Sequence, residues 1–190
     1  MDRREGSHQA VPDLHRLANE IREIGFSCQR CGVCCRPGAG DTGTVFASHE
    51  EVRTLVDSGA GSWEEVARPY PEFLTTANGA EVTFGWCVRH EGGRCRFLSD
   101  RGCTAYDARP WICRTYPFTL VDGELAVSDC PGLGSPITPE DALSLARDLV
   151  GRARSEAADE ERVKAAYAKA RIPEGKRCVI DSSGARILNN

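Results

Sequence analysis

Apolar residues recur at helical spacing near the start of the chain. Leu14, Leu17, Ala18, Ile21 and Ile24 predict an amphipathic helix over 11–24, ended by Gly25. Residues 1–10 carry no such pattern and are expected to be disordered, and 36–41 read as loop. Thr42–Ala47 suits a short strand. Ser48-His-Glu-Glu51 is a capping box, and Val52, Leu55 and Val56 give the helix after it an apolar face. Ser62-Trp-Glu-Glu65 repeats that signal for a second, short helix. Residues 69–79 are irregular, and 81–86 alternates as a strand does.

From Cys87 to Cys130 the pattern breaks into fragments rich in glycine, arginine, cysteine and aromatics. Arg96–Leu98 and Pro117–Val121 are strand-like, and Asp122-Gly123 reads as a hairpin turn. So little continuous structure needs another constraint, and a metal closing the loops supplies one. Thr138-Pro139-Glu140-Asp141 then opens a helix with an N-cap, an N1 proline and early acids. Ala142, Leu145, Ala146, Leu149 and Val150 form its stripe. A second helical stretch runs from about 156 to 171 and stops before Pro173. The expected fold is α+β: a small, loop-rich, metal-crosslinked core of short strands, flanked by N- and C-terminal helices. The expected organisation is a disordered 1–10, a cysteine-cluster domain over 11–133, and a helical extension and tail over 134–190.

Composition adds constraints. The chain has 190 residues, 41% hydrophobic and 27% charged, as an ordinary globular domain does. The net charge of -4 gives no overall attraction to nucleic acid or anionic lipid. Residues 86–116 are locally basic, with six arginines against three acids, so nucleic acid is disfavoured rather than excluded. No apolar run reaches the roughly 18 residues of a spanning helix, so no membrane partner is expected. The first residues have early charge and no apolar core of a secretory signal, so a cytoplasmic location is the default.

Ten cysteines stand out against that background. Disulfides, unreacted buried thiols and metal ligation compete to explain them. A reducing compartment and the clustering favour metal. The first group is Cys28-x2-Cys31-x2-Cys34-Cys35. A C-x2-C turn brings two sulfurs to one ion while backbone amides support the thiolates. Gly32 suits a tight turn of positive φ. Adjacent side chains diverge, so Cys34 and Cys35 are expected to feed different sites. Cys87, Cys95, Cys103 and Cys113 supply four more thiolates, enough for two four-cysteine sites or one polynuclear centre. Thiolate selects a soft or borderline metal, not magnesium or calcium.

Arg30, Arg36, Arg94, Arg96 and Arg114 each adjoin a cysteine, and Arg101 and Arg109 lie close. Their charge would offset that of a thiolate centre and lower thiol pKa values. Phe26, Trp86, Phe97, Tyr106, Trp111, Tyr116 and Phe118 crowd the same segments, as core or as a shield against water. His90 has ligand-like spacing from Cys87. His15 and His49 fall on expected helices and are expected to face solvent. No Walker loop, nucleophile elbow or H-E-x-x-H is present.

Cys28-x2-Cys31-Gly-x-Cys34-Cys35, Cys95-x-Phe97-Leu98 and Cys103-x2-Tyr106-x2-Arg109-Pro110-x2-Cys113-Arg114-x-Tyr116-Pro117-Phe118 together resemble the CxxCxxCC zinc- or iron-chelating family, the YkgJ-like cysteine-cluster proteins. The resemblance covers about 24–133. It implies the same eight ligands, Cys28, Cys31, Cys34, Cys35, Cys87, Cys95, Cys103 and Cys113, with Cys130 a further family position and Cys178 a free thiol outside the motif. It implies no particular reaction. Some flagellin lysine methylases share the cysteine pattern, but no glycine-rich cofactor loop follows a strand here.

Three functions fit. An iron–sulfur centre for redox or sensing comes first, ahead of zinc or iron ions. A structural or metal-delivery module without catalysis is the second, and a metal-dependent enzyme of unknown substrate is the third.

Overall fold

The computed structural model describes residues 13–36 and 44–188. The expectations for 1–10, and parts of those for 11–24, 36–41 and 42–47, lie outside them. In chain order the elements are α1 (Leu14–Ile24), a 3-10 turn (Val33–Cys35), β1 (Phe46–Ala47), α2 (His49–Asp57), α3 (Trp63–Val66), β2 (Ala67–Pro69), β3 (Leu74–Thr75), β4 (Glu81–Phe84), β5 (Trp86–Val88), β6 (His90–Glu91), β7 (Arg94–Cys95), β8 (Leu98–Ser99), β9 (Gly102–Cys103), a second 3-10 turn (Tyr106–Ala108), α4 (Trp111–Thr115), β10 (Phe118–Val121), β11 (Glu124–Val127), α5 (Pro139–Lys169), β12 (Arg177–Asp181) and β13 (Gly184–Ile187). The class is mixed α+β, as the pattern predicts.

The chain forms two compact units. Of the described residues, the first comprises 13–29 and 115–153. Asp13 caps α1 by accepting from the His15 and Arg16 amides at 2.8 and 3.1 Å. The helix buries Leu17, Ala18 and Ile21 in one core with Phe118, Ala142, Ala146, Leu149 and Val150. Each fully buried large side chain there contributes about 1.5–3 kcal/mol. β10 and β11 form the predicted hairpin, with Val121 opposite Glu124. Asp122 and Gly123 both have positive φ, as a two-residue turn of this hand requires. Gly25 ends α1, and the chain after it is tied to 132–134: Ser27 N donates to the Gly132 carbonyl at 3.1 Å, and Gly134 N to that of Gly25 at 3.0 Å.

The second unit comprises, of the described residues, 30–36, 44–114 and 154–188. It holds an antiparallel sheet of order β1-β5-β2 and a mixed sheet of order β13-β12-β4-β3, in which β12 runs parallel to β4. Two small ribbons, β6-β7 and β8-β9, carry Cys95 and Cys103. Both predicted capping boxes form, at Ser48 with Glu51 and at Ser62 with Glu65. One core joins Val52, Leu55, Val66, Trp86, Val88, Phe97 and Val179. A smaller one joins Val82, Cys178 and Ile180, with Val163 and Ala166 packed on it.

Several expectations change. The strand over 81–86 is two strands, β4 and β5, broken at Gly85 with φ 77°. A Cβ there would lie 2.6 Å from the Phe46 ring, so only glycine lets the chain pass. Arg96–Leu98 is not a strand; Leu98 opens β8 and Arg96 follows β7. The two helices expected after 138 are one helix of 31 residues. Residues 177–187, read as tail, are a hairpin that completes the mixed sheet. Cys178 is the free thiol expected, buried on β12, whereas His49, expected to face solvent, is half-buried with Nδ1 3.2 Å from Asp181 Oδ2.

Candidate metal centre

The leading run begins with the turn around Gly32. Gly32 has φ 70°, and a Cβ on it would meet Leu98 Cδ1 at 2.6 Å. The turn presents Cys34 and Cys35 in a 3-10 conformation. Arg36 closes it, donating through Nη1 to the carbonyls of Cys31 and Gly32, both at 3.2 Å.

Five of the eight predicted ligands are brought together in the second unit. The Cys34 thiol is hydrogen-bonded to Cys35, and Cys35 to Cys95. Cys103 acts electrostatically on Cys35 and Cys95, Cys113 acts on Cys95, and Cys34, Cys35 and Cys103 act on Cys113 in turn. The 3-10 turn, β7, β9 and α4 each contribute, so short elements far apart in sequence converge on one group. Cys34 and Cys35, expected to serve separate sites, are bonded neighbours within this group.

The thiols shift one another in definite directions. Donation to Cys35, then burial, pushes Cys34 up. The bond from Cys34 pulls Cys35 down, but its own bond to Cys95 and burial prevail, leaving it at about 11. The bond from Cys35 lowers Cys95 despite burial. Burial pushes Cys113 up to about 12 and also raises Cys103. One cation opposes this: the Arg109 guanidinium lowers Cys34, Cys103 and Cys113. Arg109 is held by stacking 3.5 Å from the Tyr106 ring centroid and by donating through Nε to the Tyr106 carbonyl at 2.8 Å. Arg30 stacks on the same ring at 4.7 Å. The sequence placed seven arginines near cysteines; the spacing Arg109-Pro110-x2-Cys113 was the signal that this one matters.

The remaining expected ligands lie elsewhere. Cys87 is fully buried on β5, where burial raises its thiol to about 11 and the Arg68 guanidinium opposes. Cys31 is exposed. Cys28 is exposed in the first unit, on a cavity of about 270 Å³ lined also by Phe26, Ile137, Thr138 and Leu145. Cys130 is half-buried in that unit. His90 sits opposite Cys95 in the β6-β7 ribbon.

Among the described residues, no group of three or more His, Cys, Asp or Glu side chains is a ready-made ion cage. The donor set itself fits a thiophilic ion: it is all sulfur, dense, and faced by a guanidinium that offsets thiolate charge. No described helix is long and apolar enough to cross a membrane.

The comparisons agree with the donor chemistry. No curated protein and no solved structure matches the chain. The model of the CxxCxxCC family, described as a candidate zinc- or iron-chelating domain, matches residues 27–131, more than half of the 190. The chain therefore belongs to the CxxCxxCC family of candidate zinc- or iron-chelating domains.

Proposed function

We propose that the protein holds iron or zinc through the thiolates of Cys34, Cys35, Cys95, Cys103 and Cys113. The convergence of these five thiols beside Arg109 carries the reading. The spacing of the leading run adds Cys31. Cys87 stays outside, because burial and Arg68, not another thiol, act on its sulfur. Five or more thiolates exceed what one tetrahedral ion takes, which favours an iron–sulfur cluster ahead of a single zinc. A bound cluster would supply one-electron chemistry, and the role that suits it is redox or sensing in the reducing cytoplasm. Within that role, Arg109 offsets thiolate charge, and Tyr106 holds Arg109 in place.

A second reading is structural. β7, β8 and β9 have two residues each, too few to persist as isolated ribbons. A closed zinc site would hold them without redox chemistry. Iron and acid-labile sulfide, measured per chain with a visible spectrum on protein purified without oxygen, separate the two. Brown protein with about equal iron and sulfide supports the cluster. Colourless protein with zinc and no sulfide supports the structural site. Protein that binds neither metal rules out both.

A further inference from the structure

Glu51 lies outside every cysteine motif, and the sequence explains it fully as the acid of a capping box. The structure gives it a second bond. Its Oε2 accepts from the Ser48 amide at 2.7 Å, which is the capping box. Its Oε1 accepts from the amide of Trp111 at 2.6 Å, 60 residues on. Trp111 is the first residue of α4, and an N–H there has no partner within the helix. One carboxylate therefore ties the start of α2 to the start of α4.

What α4 carries makes this bond consequential. Cys113 is two residues beyond Trp111, and Arg109 two residues before it. Cys113 supplies one of the five grouped thiols, and Arg109 is the cation that acts on three of them. Arg109 also donates through Nη1 to the Cys113 carbonyl at 3.4 Å, so the two move with one backbone segment. That segment is short, and Pro110 offers no amide to anchor it. Glu51 is half-buried and belongs to α2, a regular helix whose Val52 and Leu55 are fully buried. The fixed end of the bond is thus the α2 end.

We infer that Glu51 is a positioning residue for the metal centre: it fixes the start of α4 and so the places of Cys113 and Arg109. This rests on the metal-binding reading of the cysteines. Both bonds of its carboxylate are to backbone amides, so it acts through the backbone. Partners that orient ligands in this way are commonly worth 10–100-fold in metal affinity.

Ser48 provides the control. Its Oγ accepts from the Glu51 amide at 3.3 Å, so Ser48→Ala weakens the α2 cap and leaves the Trp111 bond intact. The test is zinc(II) affinity of the full chain by competition with a chromophoric chelator, together with amide exchange at Trp111 in the metal-free protein. Glu51→Ala is expected to lower zinc affinity at least about tenfold and to speed Trp111 exchange. Ser48→Ala is expected to leave both within about twofold, although it lowers stability. If Glu51→Ala leaves the affinity unchanged, or if Ser48→Ala lowers it equally, the inference is overturned while the metal reading stands. If the wild-type protein takes up neither zinc nor iron, the metal reading fails and takes this role with it.

Discussion

Asp181, at the end of β12, accepts the indole N–H of Trp86 on β5 at 2.7 Å, across 95 residues of sequence. The same oxygen lies 3.2 Å from His49 Nδ1, and Ser183 donates its amide and hydroxyl to the other oxygen. The carboxylate, 2% exposed, thereby links the two sheets of the second unit to the start of α2. Burial pushes its pKa up, but the bonds from Ser183, Trp86 and His49 outweigh this and leave it lowered. A lowered folded-state value means stability that is complete above the ordinary aspartate pKa of about 3.9 and is lost as pH falls through the folded value. Asp181→Ala is expected to cost about 2–4 kcal/mol at pH 7, since it strands buried donors. Urea titrations at neutral pH and near pH 3 check this. The difference between wild type and variant should shrink at the lower pH.

The thiols give the opposite sign. Cys35, Cys87 and Cys113 are pushed to about 11, 11 and 12, above the usual thiol value. Their stability contribution is full below the unfolded pKa of about 8.5 and is lost as pH rises toward the folded values. Metal-free protein is thus expected to weaken above about pH 9. Metal competes with protons for the same sulfurs, so zinc uptake should release protons and tighten as pH rises between about 6 and 8. Calorimetry in buffers of different ionisation enthalpy counts the protons. Uptake without proton release would contradict thiol ligation.

The turn at Gly32 admits one further test. An alanine there takes on strain from φ 70° and a Cβ 2.6 Å from Leu98 Cδ1. Gly32→Ala is expected to cost about 1–2 kcal/mol and to lower metal affinity, because the same turn presents Cys34 and Cys35. Paired denaturation and chelator-competition measurements read both effects.

Two buried cysteines are predicted to stand apart from the centre. Cys87→Ala and Cys178→Ala should each keep full metal content while lowering stability by about 1 kcal/mol, as small losses of core packing do. Cys113→Ser should lose most of its metal. Metal loss in Cys87→Ala on the scale of Cys113→Ser would restore Cys87 to the ligand set.

Local signals in the sequence proved the most readable. The capping boxes at Ser48 and Ser62 and the hairpin at Asp122-Gly123 are decided by neighbours three residues apart or fewer, and they form as expected. What escaped is set by distant partners. β12 finds its place only against β4, about 95 residues earlier. The break at Gly85 is imposed by Phe46, which no alternation pattern reports. α5 runs through Gly151 because a single glycine costs only about 1 kcal/mol, less than two cores return through Leu149 and Val163. The candidate centre divides in the same way. The leading cysteine run and the Arg109–Cys113 spacing announce it, whereas the retreat of Cys87 into β5 and the reach of Glu51 to Trp111 exist only in the folded chain.

The central claim is that sulfur alone surrounds the metal. X-ray absorption at the metal edge, on protein loaded with iron or zinc, tests it most directly. The expected result is a coordination shell of sulfur, at about 2.3 Å if the metal is zinc, that is diminished in Cys95→Ser and Cys113→Ser. A coordination shell of nitrogen or oxygen, or one unchanged in both variants, would contradict it.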